Sequence, residues 1–437
     1  MGPANRRAHH FNKENHKRSP MRRILFLIFF SICLTSIAQE SITVEECTQL
    51  AIAQSSANVQ KELNAQLLQV KLNDVSSHYY PSLQIDGAIG YLSQVTELPT
   101  AVPGYEKMPH DMYNVSLNLQ QVVFDGMQAT YGRKNERLLN KNEISKLDIS
   151  IGKIKEQIIS LYLNLLIIDK QIAILTNVEK TLQEKSDQLK AMLRAGVVYA
   201  NSIAQLDLES LKIQQQKDEL QANRESLIAS LSILTGKDLS QTHFTVPELP
   251  EVENDISSNR EEFNIFANTK ESLEYLRKLH LSKSLPKIMF VAVGGYGRPS
   301  YNLLDPNFKW FYAVGLKFTI PLIDWARSKG VSDIINLQKS ILESQESDFR
   351  KANQIAIQEK INEINRIEHL LILDEQITQK YQEIKQTAST QLLNGTITAI
   401  DYIKQQNDEL QSVIAMEVHT IQLLKAKYEL MALKGKL

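Results

Sequence analysis

Residues 391–406 read QLLNGTITAIDYIKQQ, a helix-favouring run that breaks at Asn394-Gly395 and restarts at once, with Asp401 close behind. The same punctuation stands at 192–207, MLRAGVVYANSIAQLD. Glycine suits the left-handed position that ends a helix. Asn201-Ser202 and Thr398 are suitable N-caps for the helices that follow. Each break predicts the turn of an antiparallel helical hairpin, so a hairpin is used twice.

Working outward, proline is absent from 42–80, 110–246, 251–285 and 322–437. Helix interiors expel proline, so spans of this length predict extended helices. Leu147, Ile151, Ile154, Ile158, Leu161, Leu165, Ile168, Ile172 and Leu175 alternate in steps of four and three. Beyond the first break, Leu206, Ile213, Leu220, Leu227 and Leu234 recur every seventh residue. Heptads of this kind put an apolar seam on a helix that pairs with another in a coiled coil. A helix from near Tyr131 to Leu193 measures roughly 95 Å at 1.5 Å per residue. It is a rod.

Between the helical spans the period changes to two. Leu83, Ile85, Ile89 and Tyr91 alternate with Gln84, Asp86, Ala88 and Gly90. Tyr113, Val115, Leu117 and Leu119 alternate with Asn114, Ser116, Asn118 and Gln120. Tyr312, Val314, Leu316 and Phe318 alternate with Ala313, Gly315, Lys317 and Thr319. A fourth segment, KIMFVAVGGY, is apolar on both faces, with Ile288, Phe290 and Tyr296 sharing a side. Alternation over about ten residues is the length a tilted membrane strand needs. Aromatics gather at the segment ends, and the second face is polar, so these four predict membrane strands with the first-named residues facing lipid. A soluble sandwich strand has the same period. Four strands cannot close on themselves, and open edges in lipid leave backbone groups unpaired, so several copies must share one barrel.

The second half repeats the first. Phe124-Asp125 and Ile323-Asp324, Gly196 and Gly395, and Gly236 and Gly435 are each separated by 199 positions. The reading divides the chain into a first repeat at 39–242, a linker at 243–259 and a second repeat at 260–437. The first repeat holds strands at 82–92 and 112–122 and a helical hairpin at 127–236. The second holds strands at 287–297 and 310–320 and a hairpin at 326–435. Ahead of them, MRRILFLIFFSICLTSIAQ has the charged, apolar and small-residue parts of a signal peptide at 21–38, and residues 1–20 are an upstream extension. No apolar run long enough for an ordinary transmembrane helix follows it. Cys47 is then the one cysteine of the mature chain, so no internal disulfide is expected.

The chain of 437 residues is 43% hydrophobic and 23% charged with a formal net charge of −1, a balance that argues against nucleic-acid binding and against disorder. No metal cluster, phosphate loop or nucleophile constellation stands out. GGYGRP at 294–299 lacks the Lys-Ser/Thr of a phosphate loop. Neither an enzyme nor a cofactor is expected.

The segments ITVEECTQLAI, YYPSL, VVFDG, RAGVV, LNGTITAID, LSILTG and LMALKG, in this order and spacing, resemble those of the TolC-like outer membrane efflux protein family across the whole mature chain. The resemblance implies a predominantly helical α+β fold of two tandem repeats. Its helical hairpins would form a periplasmic α-barrel, and its strands would contribute to a twelve-stranded β-barrel in a homotrimer. It further implies an outer-membrane protein of a Gram-negative bacterium that works with a periplasmic adaptor and an inner-membrane transporter. By the same resemblance Ala195, Gly196, Val197, Asn394, Gly395 and Thr396 are adaptor contacts, and Asp401 lines the aperture. Some relatives carry a second aspartate three residues on. Lys404 stands there instead, placed to pair with Asp401 along the helix. Efflux of small molecules and type I protein secretion both fit. A periplasmic coiled-coil adaptor is the reading from another class, but it would show one hairpin and no membrane strand pairs.

Overall fold

The computed structural model describes residues 41–97, 103–104, 106–196, 198–253, 255–321 and 325–437. The signal and the upstream extension, Val197 and Ile323-Asp324 lie outside the described residues. In chain order the elements are β1 (Ser41–Ile42), α1 (Val44–Gln54), α2 (Ser56–Ser77), β2 (Ser82–Tyr91), β3 (Asp111–Phe124), α3 (Gln128–Arg194) and α4 (Ala200–Thr235). There follow β4 (His243–Phe244), α5 (Glu261–Ser282), β5 (Lys287–Arg298), β6 (Lys309–Thr319), α6 (Trp325–Leu393) and α7 (Ala399–Lys434). The fold is predominantly helical, with one four-stranded sheet.

The helix lengths come in pairs: 22 residues for α2 and α5, 67 and 69 for α3 and α6, and 36 each for α4 and α7. Each long helix, about 100 Å at 1.5 Å per residue, is too long for one partner. Near the sheet α2 packs on α3, and α5 packs between α3 and α6. Toward the far end α4 lies on α3, and α7 lies on both α6 and α3.

The heptad positions supply the seam. Leu175, Leu182, Leu189, Leu206 and Ile213 are buried with Leu392, Ala399, Tyr402 and Leu410 in one cluster, so both hairpin ends share a core. A second cluster joins Ile158, Tyr162 and Leu165 of α3 to Cys47 of α1, Leu231 of α4, Phe244 of β4 and Leu424 of α7. This packing bears on the absence of a spanning helix expected above. An 18-residue window of α3 reaches a mean hydropathy of 1.7, enough by length and composition to cross a membrane, and 39% of it is buried within this chain. A core helix passes the same test.

The sheet runs β2-β3-β5-β6, antiparallel throughout, with β2 and β6 at its edges. A bulge between Val122 and Phe124 extends β3 to 14 residues, past the expected 112–122. At the entry to α3, Gly126 takes φ 72°, and a side chain there would strike the carbonyl oxygen of Ser282. Only glycine fits this corner. Asp125 Oδ2 accepts the Ala129 amide at 2.7 Å and so covers an amide that the helix start leaves open.

A small sheet was missed by the sequence reading: β1 pairs in parallel with β4, joining the first described residues to the linker. Tyr162, fully buried on α3, sits beneath it with its hydroxyl 2.8 Å from the Ile42 carbonyl and 2.7 Å from that of Thr245. Burial pushes its phenol up to about 12. The linker and residues 41–42 are thereby held against the waist of the rod. Tyr162→Phe removes the shorter of two hydroxyl bonds to the Ile42 carbonyl, which Thr245 Oγ1 also reaches at 3.3 Å, and a buried hydrogen bond contributes about 1 kcal/mol. The variant is expected to melt about 1 to 2 °C lower with an unchanged far-ultraviolet dichroism spectrum.

On the opposite seam, Glu274 of α5 accepts Arg277 at 2.6 Å and Lys339 of α6 at 2.7 Å, which holds its carboxyl down at about 2. A depressed pKa contributes stability above the ordinary carboxylate range that is lost as pH falls through the folded value. Protection of amides along the α5–α6 seam, measured against their intrinsic exchange rates, should therefore fall as pH drops from about 4 toward about 2. Glu274→Gln should flatten that pH dependence.

Candidate functional site

Two regions carry the candidate residues: the tips of the hairpins and the sheet. At the second tip α6 ends in a paired closure. The Gly395 amide donates to the Leu392 carbonyl at 3.0 Å and the Thr396 amide to that of Gln391 at 2.9 Å, with Gly395 at φ 70°. This six-to-one and five-to-two pattern satisfies the carbonyls at the helix end and needs a left-handed residue. At the first tip Gly196 takes φ 74° and donates to the Leu193 carbonyl at 3.0 Å. Ala195, Gly196, Asn394, Gly395 and Thr396 are all exposed.

The helices restart differently. Thr398 caps α7 in a reciprocal box: the Asp401 amide donates to Thr398 Oγ1 at 3.3 Å, and the Thr398 amide donates to Asp401 Oδ2 at 3.0 Å. The expected caps Asn201-Ser202 are displaced. Helix α4 begins at Ala200, so its N-cap is Tyr199, with no side-chain capping bond. The Asp401 carboxylate turns back onto Thr398, whose hydroxyl also donates to it at 2.6 Å. Those bonds lower its pKa, with a lesser pull from the Lys404 ammonium. Capping, rather than pairing with Lys404, is the main engagement of this carboxylate. Beside it lies a groove of about 430 Å³ between α6 and α7, lined by Glu383, Ile384, Gln391, Ile397 and Asp401 among others.

Beneath the tips a polar network ties the two hairpins. Asn407 of α7 donates to Glu209 of α4 at 2.9 Å, and Lys212 pairs with the same carboxylate at 3.1 Å. Tyr402 donates to Gln406, which donates to Glu409, which accepts Lys385 of α6 at 2.8 Å. Glu209, Gln406 and Glu409 are all buried, and burial with the nearby Glu409 charge pushes the Tyr402 phenol up to about 12. The sequence reading missed this network because its partners are as many as 198 positions apart.

In the sheet, the ladder registers place the expected residues on one face. Leu119 stands between Leu83 and Ala292, Leu117 between Ile85 and Gly294, and Val115 opposite Tyr296. Beyond β5 the rows of Leu117 and Leu119 continue to Tyr312 and Val314, and on the same face Phe290 and Ile288 pair with Leu316 and Phe318. Tyr113, paired with Ile89, completes the face. This face is open: Ile85 is 73% exposed, Ile89 and Tyr312 82%. At its outer end Tyr296 packs on Trp310 and Phe308, with ring centroids 5.1 and 5.8 Å apart. The Arg298 guanidinium lies 4.9 Å from the Phe308 ring. The other face carries Gln84, Asp86, Asn118, Gln120 and Lys317, where Asn118 donates to Asp86 at 2.6 Å.

No protein-family model matches the chain, and no curated protein sequence does. Solved structures do. The outer membrane protein VceC of Vibrio cholerae superposes with a TM-score of 0.68 at 13% identity, covering 90% of this chain and 96% of that one. The CmeC outer membrane channel of Campylobacter jejuni gives 0.62 at 16% identity over 90% and 86%. The MtrE outer membrane channel of Neisseria gonorrhoeae, in its open state, gives 0.66 at 12% over 90% and 89%. The chain has the fold of the TolC-like outer membrane channels.

The capping box makes the start of α7 sensitive to one side chain. Thr398→Ala is expected to speed amide exchange in the first turn of α7 about fivefold at neutral pH, the effect of losing an N-cap. Because the Asp401 pKa is depressed, its part of the cap persists above the ordinary carboxylate range. As pH falls below about 4, wild type should approach the variant. Tyr199→Ala, at a cap with no side-chain bond, should leave α4 exchange unchanged.

Proposed function

We propose that the chain is the outer-membrane channel of a tripartite efflux pump in a Gram-negative bacterium, a passive duct whose transport is powered by a partner. The observation that carries this reading is the open apolar face of β2, β3, β5 and β6, standing on helices about 100 Å long. An apolar band on a sheet with two free edges belongs in lipid and must be closed by other copies. Two copies would give eight strands, a barrel filled by its own side chains, whereas three give twelve and leave a lumen. A homotrimer fits. The matched element lengths support two tandem repeats, with hairpins that line a periplasmic α-barrel.

The helices carry the same incompleteness. Val59, Leu63, Leu67 and Val70 form an exposed stripe on α2, at one flank of the rod. Ile334, Leu337 and Ile341 form another on α6, at the other flank. Leu63 lies 14 residues before the end of α2, and Ile341 16 residues into α6, so the stripes stand at matching depth below the sheet. Copies arranged side by side would cover both. In this arrangement the hairpin tips point away from the outer membrane. There the residues around Gly196 and Gly395, including Val197, meet the adaptor, and Asp401 and Lys404 border the aperture.

Leu63→Glu together with Ile341→Glu should abolish the detergent-stable oligomer on native gels. Gly395→Pro cannot adopt φ 70° or donate to Leu392. It should abolish efflux of a reporter dye from whole cells while the oligomer still forms in the outer membrane. Loss of the oligomer in Gly395→Pro would assign the tip to assembly instead. A chain recovered wholly in the soluble fraction would overturn the channel reading.

A further inference from the structure

The loop between β5 and β6 straddles the outer rim of the sheet. Phe308 packs against Tyr113 and Tyr296 on the apolar face. Tyr301 instead turns over the rim onto Phe311, edge to face with centroids 5.0 Å apart. Phe311 belongs to the other face: it pairs with Gly295, one position out of phase with the Trp310–Tyr296 row. Its ring lies so close over Gly295 that a Cβ there would come within 2.5 Å of it. The loop is held by its own bonds. The Leu304 amide donates to Asn302 and the Asn307 amide to Asp305, both to side-chain oxygens, and Lys309 pairs with Asp305 at 3.5 Å.

The row containing Phe311 continues through Gly295 and Ser116 to Asp86 on β2. One row outward, Asn114 Oδ1 is enclosed without a hydrogen-bond partner. The face that carries these groups is the polar one. If copies close into a barrel, the β2 edge with Asp86 meets the β6 edge with Phe311 of the next copy. The repeated sequence around the wall is then ring, glycine, serine, carboxylate. Lys309 is occupied by Asp305. Lys317 lies six residues along β6, about 20 Å toward the helices.

We propose that Phe311, Tyr301 and Asp86 form a collar at the outer end of the lumen wall that binds aromatic organic cations as they leave. Ring faces attract cations, and the carboxylate supplies the matching charge. With no side chain at Gly295, the ring can sit close against the wall, so the collar does not close the exit. This rests on the exit-duct reading, in which the polar face lines the lumen.

The test uses the full assembled protein in planar lipid bilayers, with tetraphenylphosphonium added in potassium chloride. Concentration-dependent block of the potassium current is expected. Phe311→Ala and Asp86→Asn should each weaken the block about five- to tenfold, and Phe311→Tyr should keep it within about twofold. The open-channel current in the same records shows that each variant has assembled. Block unchanged in both Phe311→Ala and Asp86→Asn would overturn the collar and leave the duct standing. A reconstituted chain that carries no current at all would overturn the duct, and the collar with it.

Discussion

The constraint on which the rest depends is the pair of open edges on one small sheet. Strands β2 and β6 each present an outward row of backbone amides and carbonyls that nothing in the four-stranded order can meet. Water would satisfy them, but the adjoining face of Ile85, Ile89, Leu117, Val314 and Phe318 is suited to lipid, where each unmet group costs several kcal/mol. A sheet with one face for lipid and two edges against it can persist only as part of a closed ring. On the proposed channel reading, association is what completes this sheet.

The helical rod obeys the same logic with weaker forces. Helix α3 is the spine: it takes part in the waist core through Tyr162 and in the tip core through Leu182 and Leu189. Around it α2, α4, α5 and α7 fill one side or the other, and α6 closes the series. Among the residues left exposed are the apolar stripes of α2 and α6, the helices joined in sequence to the edge strands β2 and β6. The tips, by contrast, are finished by local chemistry, with glycine closures and the Thr398–Asp401 box. A region completed locally can contact a partner without depending on it to fold.

Much of this was legible in the sequence because the chain has few ambiguous periods. Strand alternation was clear in β2, β3 and β6, where one face is polar, and weak in β5, where Met289, Val291 and Val293 make the second face apolar too. Heptads gave the seam of α3 and α4, and Gly196 and Gly395 gave both turns. The β1–β4 pair was invisible, since two-residue strands carry no period. Tyr162 was hidden inside an apolar run in which its hydroxyl has no local signature. Asn201 and Ser202 looked like caps by residue type alone, yet the backbone turns two residues earlier. The link from Glu209 to Asn407 spans both hairpins, and neither residue's neighbours announce it.

The most direct test of the central claim is the mass of the assembly that detergent releases from membranes, measured by native mass spectrometry on the mature chain. Three copies in one particle, stable until the detergent is made harsh enough to unfold the strands, is the result expected from a four-stranded share of a twelve-stranded ring. A single chain that stays folded and dispersed in buffer without detergent would contradict it, because its strand edges would then be at ease in water.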